Sequence, residues 1–324
     1  FLSQYMFGEL NTFYAVLAGV CAGLAFAFLT KYYTLHEHEP ARTVAKAAQT
    51  GPATNILAGF ALGLRSTGFS IIVVCIAVFI AYKFAGLYGV SLAAVGMVSL
   101  LPQVVAMDSY GPIVDNASGI AEMSGLSDEV RSVTDVLDAA GNTTKAVCKG
   151  FAIGAAILAA MALFAGYIEA AGISVLSVTS SNTLIGLFIG GMLPFLFCSF
   201  LIRAVGEAAF AIIKEVRRQF HNIKGLREGH TKPEYGRCIG ISTNAALKGL
   251  IVPGILATVT PLIVGFILGR EALGGLYVGS IVTALPLALL LAHSGTAWDN
   301  AKKYIELGFL GGKGTSTHRA AVIG

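Results

Sequence analysis

The sequence predicts an all-α fold, a polytopic bundle of transmembrane helices forming one integral-membrane domain over residues 1–324, and three observations carry that expectation. First, 55% of the residues are hydrophobic and only 12% are charged, and the mean hydropathy of +0.75 lies far above that of a soluble domain of similar length. Second, the apolar residues gather into seven runs, each long enough to cross roughly 30 Å of hydrocarbon at about 1.5 Å per residue. Third, 39 glycines and abundant alanine suit helices that approach closely in lipid, where small residues rather than hydrophobicity drive contact.

The runs lie at about 10–30, 55–83, 86–117, 142–170, 183–213, 240–269 and 274–298. Several exceed what a bilayer needs, so their polar ends are expected to project into water as continuous helix. The second run holds Arg65, a costly charge inside a span. The third carries Pro102, Pro112 and the acidic series Asp108, Asp115 and Glu122. The fourth opens on Asn142-Thr143-Thr144-Lys145. The fifth holds Pro194, and its Arg203 and Glu207 are spaced for an intrahelical pair. The sixth holds Pro253 and Pro261. The seventh holds Pro286 and His293 and runs on into Asp299, Lys302 and Lys303. The prolines kink helices and mostly serve packing. For Arg65 and His293, a buried pair and an ion route both stay open.

Positive charge sorts to one side. Lys31, Arg42, Lys46, Arg131, Lys214, Arg218, Lys224 and Arg237 fall on alternate connections, whereas the intervening turns offer little beyond Lys83 and Arg270. The positive-inside rule makes the charged side cytoplasmic, and Asp115, Asn142, Asp299, Lys302 and Lys303 are all on it. The formal charge of +4 is small and confined to loops, so nucleic-acid binding has no support. The five cysteines, Cys21, Cys75, Cys148, Cys198 and Cys238, are odd in number and lack CxxC spacing, which reads as reduced packing residues.

Polar residues at the ends of apolar helices cost free energy unless they bind something. Asn142, Lys145 and Lys149 fall at i, i+3 and i+7 and so share one helix face, a site for an anion and its counter-cations. Thr143 and Thr144 read equally as helix caps, and Asp135 and Asp138 as charges biasing a helix start, with Asp138 near enough to support the site. Asp108, Asp115 and Glu122 recur every seven residues, an acidic stripe that attracts cations. Small neighbours around Asp115 admit hydrated Mg²⁺, which prefers one or two carboxylates plus phosphate oxygens. Glu122, beside a loop, reads equally as a solvated acid. Asp299, Lys302 and Lys303 alone read as a helix-end salt bridge.

Four stretches, 107–123, 141–156, 232–248 and 297–306, resemble in order the signature runs of membrane-bound, ion-pumping inorganic pyrophosphatases, and the resemblance extends from about 31 to 324. It implies that this chain is the second half of a sixteen-helix, homodimeric pump. Such a pump hydrolyses Mg²⁺-pyrophosphate to two phosphates at the cytoplasmic face and exports a cation, in a bacterial or archaeal inner membrane or an acidic organelle membrane. On that resemblance Asp115, Asn142 and Asp299 hold metal and Lys302 and Lys303 bind pyrophosphate. Lys145 stands where potassium-dependent members have alanine and bind K⁺ nearby, which implies the potassium-independent, proton-pumping type. The aspartates that activate the attacking water, the ion gate and a final Asp-rich helix are expected outside this chain. No catalytic residue is therefore assigned within it, and the chain alone is expected to be inactive. The pattern departs at Asn244, where Asp is usual, at Gly240 and Gly249, which replace charged residues, and at His293, where Asn is common. The competing expectation is a secondary transporter or channel without hydrolytic activity, which predicts polar residues near the bilayer midplane.

Overall fold

The computed structural model describes the backbone of residues 2–323, and every side chain in that range except those of Leu2, Phe7, Ala139, Asn142, Thr143 and Ala146. A short helix α1 (Leu2–Phe7) is followed by α2 (Asn11–Thr34), α3 (Glu39–Ala47), α4 (Pro52–Val98), α5 (Leu101–Met123) and α6 (Asp128–Ala170). Then come α7 (Ser181–Asn222), α8 (Tyr235–Gly249), α9 (Ile251–Leu268), α10 (Arg270–Glu306) and α11 (Ser316–Ile323), with no strand among the described residues. Lipid offers no hydrogen bonds, so spanning segments this apolar must satisfy their backbone internally.

By length and composition, six helical stretches among the described residues can cross a membrane. The difference from seven arises within α4. Gly86 takes a left-handed φ of 57° beside non-helical Ala85, and Gly89 lies so close to the Ala81 carbonyl that a Cβ would collide with it. Residues eight apart on a straight helix are about 12 Å apart, so the chain reverses here and α4 is two antiparallel limbs. The second limb runs through a slight irregularity at Ser99–Leu100 into α5, whose Pro102 sits in the first turn, where a missing N–H costs nothing.

Several helices outrun the bilayer. The 43 residues of α6 and the 37 of α10 amount to about 65 and 55 Å. α6 starts at Asp128, fourteen residues before the expected 142, and this corrects two readings. Asp128 and Glu129, not Asp135 and Asp138, occupy its first turn. Thr144 caps nothing; its hydroxyl donates to the Gly141 carbonyl in mid-helix at 2.9 Å.

The chain divides into two compact units, 1–167 with 285–324, and 168–284. In the first, α2 packs on the second limb of α4 through small residues: Gly19 meets the Ala93 carbonyl and Gly96 the Val16 carbonyl, each too closely for a side chain. Gly23, Gly150 and Gly154 admit Phe151, Thr30 and Phe26 in the same way. Gly19→Val is therefore expected to lower the thermal midpoint of the detergent-solubilised protein, since overpacking costs about 1–3 kcal/mol. Gly68→Ala, with open space at its Cβ, is expected to leave the midpoint unchanged or raise it slightly. Equal midpoints for both variants would show that the α2–α4 contact is not tight.

In the second unit, Gly186 and Gly190 of α7 meet the carbonyls of Ala272 and Leu276, while Gly275 and Gly279 meet those of Thr183 and Leu187. Arg203 and Glu207 form the expected pair at 2.8 Å. Farther along α7, buried Glu215 accepts two hydrogen bonds from Arg218, and Arg218 also reaches Glu234 at 2.6 Å. Gln219 donates to the Glu234 carbonyl and accepts from its N–H, which ties the 223–234 connection to α7. The basic extension is thus a clamp on that connection as well as a set of intrahelical pairs.

Candidate anion and metal site

The last four turns of α10 are held in the first unit by side chains reaching backbone and hydroxyl groups. His293 is buried between α2 and α4, with Nδ1 2.7 Å from Ser66 Oγ and Nε2 3.1 Å from Thr30 Oγ1, and it stacks on Tyr33. Two hydroxyls, one on α4 and one on α2, thus satisfy this histidine. Trp298 Nε1 donates to the Asn55 carbonyl at 3.0 Å, and buried Asn300 donates to the Thr34 carbonyl at 2.6 Å. Ala297, Ala301 and Ile305 pack with Val44, Ala45, Ala320 and Ala321. Because Ala297, Asn300, Ala301 and Ile305 face that core, Asp299, Lys302 and Lys303 are left on the remaining surface, beyond the last turn of α2 and beside the first turn of α4.

Two ion pairs bring α5, α6 and α10 together there. Asp138 and Lys145 are seven residues apart on α6 and so share a face. Lys145 Nζ donates to Asp115 Oδ2 of α5 at 2.7 Å, and Lys303 Nζ of α10 donates to Asp138 Oδ2 at 3.0 Å. The first pair is open to water, with 60% of the Asp115 side chain exposed. The second is enclosed, with the Lys303 and Asp138 side chains 16% and 11% exposed. Asp299 is exposed at the surface although surrounding protein atoms partly desolvate its carboxyl, and the charges acting on it are Lys302, Lys145, Asp115 and Asp138. Close approach of α5 and α6 depends on Gly111 against the Lys145 stem and Gly141 against Val114.

Of the residues expected to form the site, Asp115, Lys145, Asp299, Lys302 and Lys303 thus come together. The Asn142 side chain lies outside the described residues, though its helix places it one turn from both Asp138 and Lys145. Lys149, one turn on, is exposed. Lys302 also meets Glu306 at 3.9 Å, and Glu306 lies 3.1 Å from His318 Nε2. The acidic stripe does not act as one ligand set. Glu122 belongs to Lys313 at 2.7 Å and Arg131 at 3.7 Å, and the Lys313 hydrogen bond holds its carboxyl below the usual carboxylate range. Spacing along one helix could not reveal a partner 191 residues away.

Among the described residues, no three His, Cys, Asp or Glu side chains gather as a closed metal site. Two open carboxylates, Asp115 and Asp299, facing two lysines are a set that fits Mg²⁺ arriving with a phosphate-bearing ligand, because that ion takes one or two carboxylates and fills its remaining positions with phosphate oxygens and water. Ammonium groups at Lys302 and Lys303 suit phosphate as point charges.

Fold and site together define a polytopic helical membrane protein with a cluster of acidic and basic side chains drawn from α5, α6 and α10. Residues 1–324 match the family model described as inorganic H⁺ pyrophosphatase, and the chain belongs to that family. It is 48% identical, over its full length, to a Clostridium tetani protein provisionally named a K⁺-stimulated pyrophosphate-energized sodium pump, covering 49% of that protein. It is 46% identical, again over its full length, to a K⁺-insensitive pyrophosphate-energized proton pump of Methanosarcina mazei, covering 50%. A third relative, the K⁺-insensitive proton pump of Caldanaerobacter subterraneus, is 46% identical over 96% of the chain and 46% of the relative. The chain spans about half the length of the curated relatives it matches, and identities of 48% and 46% do not separate sodium pumps from proton pumps.

Proposed function

We propose that this chain forms part of a membrane pump that hydrolyses Mg²⁺-pyrophosphate to two phosphates on the cytoplasmic side and couples the reaction to proton export without requiring potassium. The observation that carries the reading is the convergence of Asp115, Lys145, Asp299, Lys302 and Lys303, drawn from three helices. In this reading Asp115 and Asp299 hold the metal, with Asn142 beside them, and Lys302 and Lys303 hold phosphate oxygens. Mg²⁺, when bound, neutralises charge that develops on the leaving phosphate. Water attacks phosphorus, the bridging P–O bond breaks, and the groups that activate the water come from outside this chain. A homodimer and a single integral-membrane domain complete the proposal, the latter because α6 and α10 each supply residues to both compact units. The location of the polar cluster beyond the end of α2 argues against a transporter or channel, which would bind its cargo near the midplane.

The test is phosphate release and proton uptake by inverted vesicles carrying the full-length protein, with Mg²⁺-pyrophosphate and without K⁺. Absence of both would overturn the proposal. Uptake of Na⁺ in place of H⁺ would retain the hydrolase and reject the ion. Within that assay, Lys302→Met is expected to weaken pyrophosphate binding about tenfold to a hundredfold with an unchanged helical spectrum, since a hydrogen bond from a charged group is worth about 1.5–3 kcal/mol. Its side chain is 40% exposed, so little folding energy depends on it. Lys303→Met is expected to lose both turnover and stability, the latter because it strands the enclosed Asp138 carboxylate. Normal kinetics in both variants would reduce these lysines to helix-end salt bridges.

A further inference from the structure

Asp138 is the most enclosed acid of the cluster, with only 7% of the residue exposed. Its Oδ2 accepts from Lys303 Nζ at 3.0 Å, while its Oδ1 is buried and has no hydrogen-bond partner among the described residues. A carboxylate is expensive to enclose, and leaving one oxygen unsatisfied adds to that cost. Neither packing nor helix formation requires a charge there. It lies in the third turn of α6, beyond the helix start, and an amide or alkyl group would fill the space. What the carboxylate does is fix the ammonium of Lys303, whose long side chain would otherwise sample many rotamers. The same acid also acts electrostatically on Asp299.

We infer that Asp138 is a positioning residue for phosphate transfer, holding Lys303 where charge develops on the phosphate oxygens and limiting how strongly that lysine grips the ground-state ligand. This rests on the reading of Lys303 as a phosphate-binding group. The pair works by division of charge. An ammonium already shared with a carboxylate binds a resting phosphate weakly and gains interaction as negative charge accumulates on the phosphate, so the contact favours the transition state over the ground state. Without Asp138 the ammonium is free to grip the resting ligand, in a less defined position.

The experiment is Asp138→Asn in the full-length protein, which keeps the shape and removes the charge. We expect kcat for pyrophosphate hydrolysis to fall on the order of tenfold to a hundredfold, the scale of a misplaced catalytic contact, with KM unchanged or lower. Thermal stabilisation by the non-hydrolysable analogue imidodiphosphate should be unchanged or larger. A merely structural role would weaken analogue binding along with turnover. Raised KM, weaker analogue stabilisation or an unaltered kcat would each overturn the inference. If the single variant does not accumulate in the membrane, Asp138→Asn with Lys303→Met removes both charges and should restore accumulation with the low kcat of Lys303→Met. Failure of that double variant to accumulate would show that Asp138 serves folding instead. Lys303→Met alone separates the two readings: normal kinetics there would remove Lys303 from the phosphate site, whatever Asp138→Asn does.

Discussion

Asp299→Ala in the full-length protein is expected to abolish Mg²⁺-dependent pyrophosphate hydrolysis while leaving the protein in the membrane at its normal level. The structure separates the two consequences. The neighbours of Asp299 on α10, namely Ala297, Trp298, Asn300 and Ala301, carry the packing and hydrogen bonds that seat the helix, whereas Asp299 is exposed and makes none of them. Removing it therefore costs little folding energy. Its proposed task is to hold metal beside Lys302, and a metal on a phosphoryl group supplies several kcal/mol of transition-state charge stabilisation. That is a loss of roughly a thousandfold or more. Asp115→Ala should behave similarly, with one difference. Its loss also breaks the ion pair with Lys145, so more of that lysine's positive charge is turned to pyrophosphate, which it attracts without replacing the metal. Weakly productive binding is the expected signature. The measurement is phosphate release by purified variants across a Mg²⁺ titration; more than a tenth of normal activity in either at saturating Mg²⁺ would take that residue out of the metal site.

The helices were legible because hydrocarbon leaves the chain few alternatives. Long apolar runs must be helices there, and Lys83 and Gly86 at the junction of two such runs marked the reversal within α4. Asp115 was marked by its small neighbours and Lys145 by the face it shares with Asn142, whereas Asp299, Lys302 and Lys303 read alone as a helix-end salt bridge and only the family resemblance singled them out. What spacing along one helix cannot contain is the partner across the bundle. Asp138 and Lys303 are 165 residues apart, and nothing in 128–141 marks Asp138 as enclosed. The same limit hid the start of α6. Half of its first fourteen residues are polar, so no apolar run long enough to span a membrane extends over them. They hold their shape through contacts with α5, where Ser118 donates to Asp135 at 3.1 Å and Val114 fills the space beside Gly141. His293 is the opposite case. Its type in a span signalled cost, but only the neighbouring helices could reveal that Thr30 and Ser66 satisfy it.

Lys145→Ala is expected to turn potassium-independent hydrolysis into hydrolysis stimulated by K⁺. The ammonium of Lys145 lies 2.7 Å from Asp115 Oδ2 and is one of the charges acting on Asp299, so it supplies a tethered positive charge between the two proposed metal ligands. Its stem also lies against Gly111, and truncation to Ala opens space at that contact. The variant is left with two carboxylates, a vacated volume and one unit less of positive charge. The pair is open to water, so the lost contact is worth about 1 kcal/mol, or roughly fivefold in rate. Potassium carries the missing charge and takes oxygen ligands, one of which Asp115 can now provide. Recovery should be partial, because Cys148, one turn farther along α6, offers sulfur where an oxygen would serve K⁺ better, and that thiol is buried and directed to the Val104 carbonyl. Sodium and choline salts at equal ionic strength are the controls, since general screening would act alike in all three. Full activity of the variant in K⁺-free buffer would show that Lys145 is not the built-in cation. Low activity that K⁺ fails to raise would keep Lys145 in the site and remove the ground for assigning the potassium-independent type from this residue.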